Sequence, residues 1–282
     1  MLRMSGAKKK QEAAREARLE REAAERAARE RSKRLKLLGG AGVAIVAVVA
    51  LVLALGLFRG DATENLASQD VTVDGQKVEV KGADETAALY NGIPQTGETL
   101  GNPDAPATII EIADLKCPAC QMHAVDTHPE VVKQLVRTGK ANLKVRLVNF
   151  RDAAAGTTDG EAARNAAHNL VAQNAFFPFV NMVFNNQGDE SETWATDRKL
   201  KAIAAGTPGL GQDKLNTADT DESKKLTESA EKLATALNVQ GTPSVYVQAR
   251  GTNEYTHVPN FNSVEDIASA VEEASKNAKA TR

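Results

Sequence analysis

Glu111-Ile112-Ala113-Asp114-Leu115-Lys116-Cys117-Pro118-Ala119-Cys120 is the stretch on which the reading of this chain turns. It holds the only two cysteines among 282 residues. They follow an apolar strand pattern (Thr108, Ile109, Ile110, Ile112) and stand where a helix begins. A thiol at a helix N-terminus meets unpaired N–H groups and the positive end of the helix dipole, and both favour the thiolate. Such settings bring a cysteine pKa from about 8.5 down to roughly 3.5–7.5. The second thiol, one turn later, can close back on the first. The chain has no spare pair for a structural disulfide.

Toward the N-terminus, Gly92 to Pro106 is dense in Gly, Pro, Asn and Asp and reads as turn. Val71 to Val80 alternates around Asp74-Gly75, a strong hairpin signal, expected as a small edge addition to the main sheet. Asp61 to Gln69 reads as linker. Leu37 to Phe58 is uncharged and apolar, and as a helix it would span roughly 33 Å, enough for a bilayer core. A cleaved signal is the competing reading. The length of the stretch, the long basic region before it and the lack of a small-x-small site before Arg59 favour an uncleaved anchor.

Residues 1–36 carry 13 basic and 6 acidic side chains, a net of +7, and the remainder carries 22 basic against 31 acidic. The basic flank places the N-terminus in the cytoplasm and residues 59–282 outside, where disulfides persist. A basic end on an acidic body suits an anionic membrane surface better than nucleic acid. Lys8 to Lys36 is made of strong helix formers without an apolar seam. It reads as a solvated charged helix, with lipid-surface or partner binding as the alternatives.

Toward the C-terminus, Cys117 to about Thr138 reads as a helix, kinked or interrupted at Pro129. Asn142–Phe150 reads as a strand. Helical segments follow at Glu161–Asn174, Phe177–Asn185, Trp194–Ala205 and Asp221–Leu237. Ser244–Gln248 and Glu254–Val258 pattern as a hairpin, and Ser263 caps a final amphipathic helix. Periodicity alone thus yields an α/β domain.

From about Gly92 to Ala278 the chain resembles the DsbA-like branch of the thioredoxin superfamily, in particular the membrane-anchored, extracytoplasmic type of Gram-positive bacteria. The resemblance rests on Leu100-Gly101-Asn102-Pro103-Asp104-Ala105-Pro106, on Glu111, Asp114 and Cys117-Pro118-Ala119-Cys120, on Phe176-Phe177-Pro178-Phe179, and on Gly241-Thr242-Pro243-Ser244-Val245. It implies an α/β thioredoxin-like fold over 92–282 with a helical insertion at about 157–222. A charged helix (1–36), a transmembrane helix (37–58) and a linker with a short hairpin (59–91) would precede it. The implied activity is thiol–disulfide exchange, expected in the direction of disulfide formation in exported proteins, with a membrane reoxidase (DsbB-like or vitamin-K-epoxide-reductase-like) as electron acceptor. A reductase or isomerase on the same fold, and a non-catalytic tethered binding module, remain open at this stage.

The same resemblance assigns roles. Cys117 is the nucleophile and Cys120 the resolving thiol. Glu111 is the buried acid that relays protons, with a raised pKa. Pro243 is cis, and the Thr242 backbone pairs with an extended substrate. Pro118 fits the first helical turn. Ala119 stands where the best-known DsbA proteins carry His, so the motif supplies no charge to the thiolate. Asp114 and Lys116 border Cys117 and would act on it in opposite senses. The redox-active disulfide is the only expected cofactor. His123 completes a C-x-x-C-x-x-H pattern without a further cysteine for a metal site, and the haem signal is not met. His128, His168 and His257 are expected at the surface or as satisfied structural residues, and Phe176, Phe177, Phe179 and Phe184 in the insertion's core.

Overall fold

The computed structural model describes residues 63–280. The expected charged helix (1–36) and transmembrane helix (37–58) lie outside the described residues. Among the described residues, no helix is long and apolar enough to cross a membrane.

β5 (Ala107–Ala113) is the central strand. On one side it pairs in parallel with β6 (Asn142–Leu147), and on the other antiparallel with β7 (Ser244–Ala249). β8 (Tyr255–Val258) extends that edge antiparallel to β7. Two short strands, β3 (Gln95–Thr96) and β4 (Thr99–Leu100), extend the other, giving a six-stranded sheet in the order β3-β4-β6-β5-β7-β8. A strand buried on both faces should be apolar throughout, and β5 obeys that rule apart from the half-buried Thr108 and the buried Glu111. Ile110 and Ile112 pack beneath α7 (Asp221–Ala236), against its Ala230 and Ala234. Ile109, Glu111 and Ala113 alternate to the opposite face, against the helix that carries the cysteines and against α8 (Val264–Ala280). Ser263 caps α8 through Asp266 N–H, as the sequence indicates.

Helix α2 occupies residues 118–136. α-Helical turns at Pro118–Met122 and His128–Val131 alternate with π-helical turns at His123–Thr127 and Val132–Val136. Pro129 has no N–H to donate. The widened turn before it carries the helix past that gap, so Pro129 does not end the helix.

Between β6 and β7 lie α3 (Arg151–Ala155), α4 (Asp159–Asn169), α5 (Phe176–Asn185), α6 (Asp197–Gly206) and α7. The four phenylalanines of α5 are buried in its core, as expected.

The hairpin β1 (Ser68–Val73) and β2 (Gln76–Lys81) forms as the sequence indicates, turning at Asp74-Gly75. It is not an edge of the main sheet. It is a separate two-stranded sheet that lies on α6, with Val73 and Val80 buried there. A helix that periodicity did not reveal, α1 (Ala83–Tyr90), follows and packs on α5. A buried polar cluster holds it: the Thr86 hydroxyl donates to Asn181 at 2.7 Å, and Asn185 bonds both. Asn186 pins the end of β2 by bonding the backbone N–H and C=O of Lys81.

Candidate active site

The end of β5 and the start of α2 set the geometry. Cys117 is the N-cap of α2 with an extended backbone, and Pro118 takes the first turn, where no N–H is required. The Cys117 carbonyl accepts from the N–H groups of Cys120 and Gln121. Asp114 ties this corner to the next crossover. One carboxylate oxygen accepts from Lys116 N–H at 2.8 Å, the other from the N–H groups of Phe150 and Arg151 at 2.7 and 2.9 Å. The start of α3 is thereby fixed beside the cysteines.

Both cysteines are free thiols here and both are buried. The Cys117 thiol donates to the Thr242 carbonyl at 3.2 Å, and the Thr242–Pro243 peptide is cis. Cys117, Cys120, Thr242 and Pro243 are therefore brought together across 126 residues of sequence. The Cys117 pKa is lowered from the ordinary thiol value to about 5. The largest cause is the hydrogen bond from Cys120, opposed by burial. The Thr242 side chain, the Cys120 backbone N–H and Arg151 add to the lowering. Cys120 moves the other way: burial, then the hydrogen bond and charge of Cys117, push its thiol well up. The two thiols thus divide into a stable thiolate and a stable thiol.

Arg151 is the cation that the motif lacks. Its Nη2 lies 3.9 Å from Cys117 Sγ, and its Nε pairs with Glu190 at 3.1 Å. Ala119, partly exposed, contributes no charge. Arg151 lies 34 residues from the cysteine, and the Asp114 clamp holds the start of α3 beside it, so no local pattern could have identified it.

Lys116 does not act on Cys117 as its position in the sequence suggests. Its side chain is wholly buried and runs into the helical insertion. Nζ donates to Asp159 Oδ1 and Thr157 Oγ1, both at 2.6 Å, and to the Glu192 carbonyl at 3.0 Å, with Asp152 at 3.5 Å. Gly160 makes room for it: a Cβ there would stand 3.0 Å from the lysine chain and 2.9 Å from Asn149.

Glu111 is only 3% exposed, on the face of β5 beneath α2. His123 Nε2 donates to one carboxylate oxygen at 3.1 Å and His128 Nδ1 to the other at 2.8 Å. The raised pKa implied by family resemblance is corrected here. Burial does push the carboxyl up, but the charges and hydrogen bonds of His128 and His123 outweigh it and hold Glu111 below the usual carboxylate range. Of the two expectations for His128, surface or satisfied structural residue, it meets the second: it is buried with both ring nitrogens bonded. Its Nε2 meets the Tyr90 hydroxyl at 2.9 Å. The donor atoms of Glu111, His123 and His128 lie within 4.8 Å of one another, a spacing that a metal ion could use. Both carboxylate oxygens and both nitrogens of His128 are engaged within this network.

Comparisons with known proteins bear on the family and the fold. A family model described as thioredoxin matches residues 94–277. A Bacillus cereus protein described as "Probable disulfide bond formation protein D" is 31% identical over 178 residues, covering 60% of this chain and 76% of that protein. The Bacillus subtilis "Disulfide bond formation protein D" is 26% identical over 185 residues, covering 63% and 76%. The crystal structure of oxidised BdbD from Bacillus subtilis matches with a TM-score of 0.55 at 25% identity, covering 64% of this chain and 93% of that one.

Proposed function

Because this chain belongs to the DsbA-like branch of the thioredoxin superfamily and is a thiol:disulfide oxidoreductase, we propose that it forms disulfides in exported proteins from a membrane-anchored position outside the cell. The observation that carries the direction is the environment of Cys117. A disulfide oxidises strongly when its reduced form is stabilised. Here the reduced form holds a thiolate under the Cys120 thiol, Thr242 and Arg151. The sign follows from linkage. An acid whose folded pKa is lowered stabilises the folded reduced protein above the ordinary thiol range, and that stability is lost as pH falls through about 5.

The steps follow from the placement of the sulfurs. A client thiolate attacks Cys117 Sγ of the enzyme disulfide, and the bond to Cys120 breaks with its electron pair on Cys120. The client's second thiolate attacks the client sulfur of the mixed disulfide, and Cys117 departs as the stabilised thiolate. Thr242, beside Cys117 in the cis-proline loop, offers its backbone to an extended client segment. Two electrons then rest on the dithiol, which is the only cofactor the cycle needs. A membrane reoxidase, DsbB-like or vitamin-K-epoxide-reductase-like, would remove them. Anchoring and orientation are supported by the apolar run 37–58 and the basic excess of residues 1–36.

Mixing the oxidised full-length chain with a reduced two-cysteine peptide tests the direction. Close to one equivalent of peptide disulfide is expected per enzyme, with both enzyme thiols becoming alkylatable. Peptide left reduced while the enzyme stays oxidised would contradict disulfide formation and favour the reductase or isomerase reading.

A further inference from the structure

When Cys120 leaves as a thiolate it does so inside the protein. Burial makes that charge costly, and the proton it needs must be close by. A cavity of about 20 Å³ lies at this point, lined by Cys120, Glu111, His123, His128, Tyr90 and Pro243 among others. That is room for about one water. Every titratable group at this cavity is in that set: Tyr90 from α1, Glu111 from β5, and Cys120, His123 and His128 from α2. The facing parts of α5 and β6 are apolar apart from Asn181, and the segment before α8 brings Phe261 into edge contact with His123.

The network leaves one ring to carry the mobile proton. His128 gives its Nδ1 proton to Glu111, and its Nε2 can accept the Tyr90 hydroxyl proton. Both nitrogens of this ring are thereby engaged. The other ring on Glu111 is His123, bonded to it through Nε2. Glu111 raises the His123 pKa against the opposing effect of burial, which by itself lowers it. His123 also stands three residues after Cys120 on the same helix, and so on the same face.

We propose that His123 donates the proton to Cys120 through the cavity and takes it back on reoxidation, while Glu111, His128 and Tyr90 hold the ring in place. This rests on the thiol–disulfide exchange set out above. In the oxidising half-cycle the client thiolate bonds to Cys117 Sγ, the Cys117–Cys120 bond breaks, and the proton on His123 passes to Cys120. In the return half-cycle the Cys117 thiolate attacks the disulfide of the reoxidase. The Cys120 thiol returns its proton to His123, and the resulting thiolate attacks Cys117 Sγ and expels the reoxidase sulfur as a thiolate. Glu111 is charged throughout and is not itself the base.

The test is the rate at which the oxidised full-length chain is reduced by dithiothreitol between pH 5 and 9, corrected for dithiothreitol ionisation and read by acid quench and alkylation. The wild-type rate should be highest where His123 is protonated and should fall as pH rises through an inflection above 6.5. His123→Gln keeps an amide donor for Glu111 but carries no proton. It should lose the inflection and slow by about 10²-fold at low pH, the lower range for general acid catalysis. His128→Gln should keep an inflection. Wild-type protein with no inflection, His123→Gln with an unchanged profile, or one equivalent of tightly bound zinc in purified wild type would each overturn the inference. Rapid alkylation of Cys117 in reduced His123→Gln shows that the nucleophile is intact. Wild type that exchanges no disulfide with dithiothreitol at any pH would instead overturn the oxidoreductase reading.

Discussion

Cys117→Ser is expected to reduce disulfide exchange by about 10⁴-fold or more, the scale seen when a nucleophile is removed, with little change in fold. Oxygen for sulfur is nearly isosteric, and the site keeps the Thr242 carbonyl as a hydrogen-bond acceptor. What disappears is a sulfur that is ionised near neutral pH and able to form and break a disulfide. Cys120 cannot replace it, because it is buried and its thiol is pushed well up. Cys120→Ser should behave differently. Its Cys117 still reacts with a disulfide client, but nothing resolves the adduct, so a mixed disulfide should accumulate on a non-reducing gel. Substantial turnover in Cys117→Ser, or adducts trapped on Cys120 in place of Cys117, would reverse the assignment of roles.

Lys116→Met should lower stability by about 3 kcal/mol, the lower range for removing one partner of a buried ion pair. Methionine nearly fills the lysine stem, so the loss is chiefly that of the ammonium among Asp159, Asp152, Thr157 and the Glu192 carbonyl. Both carboxylates keep backbone donors: Asp159 accepts from Trp194 and Ala195, and Asp152 from Gly160 and Glu161. Their presence limits the cost. In thermal denaturation the midpoint should fall by roughly 6–12 °C, at about 2–4 °C per kcal/mol for a domain of this size. A fall of less than about 2 °C would show that the buried lysine is not what holds the insertion to the active-site corner.

Lys116 and Glu111 mark the limit of what residue order reveals. The redox corner was legible, because a Cys-x-x-Cys between an apolar run and a helix leaves few alternatives. So were the helical segments between the strands, which follow from period, whereas the cis peptide at Thr242-Pro243 was expected from the family resemblance alone. The tuning of the site was not. Residues five apart on an ideal α-helix stand about 140° from each other. On that basis His123 and His128 should not share a partner. The π-helical turn between them, closed by His128 N–H on the His123 carbonyl, alters that register, and both rings bond the one carboxylate. α1 was hidden for a related reason. Its buried side is held by Thr86 bonding Asn181 and Asn185, which lie about a hundred residues further on, and not by an apolar stripe. Arg151 likewise reaches Cys117 from the start of α3, which the Asp114 clamp holds beside it.

The most direct test of the central claim, an oxidising dithiol set by a stabilised Cys117 thiolate, is the reduction potential of the full-length chain against a glutathione buffer. It should be measured beside Arg151→Ala. The wild-type value should lie closer to about −120 mV, typical of a strongly oxidising relative, than to about −270 mV, typical of thioredoxin. Arg151→Ala should shift toward the reducing end, because it removes the guanidinium 3.9 Å from Cys117 Sγ. A wild-type value near −270 mV, unchanged in Arg151→Ala, would contradict both the direction and its cause.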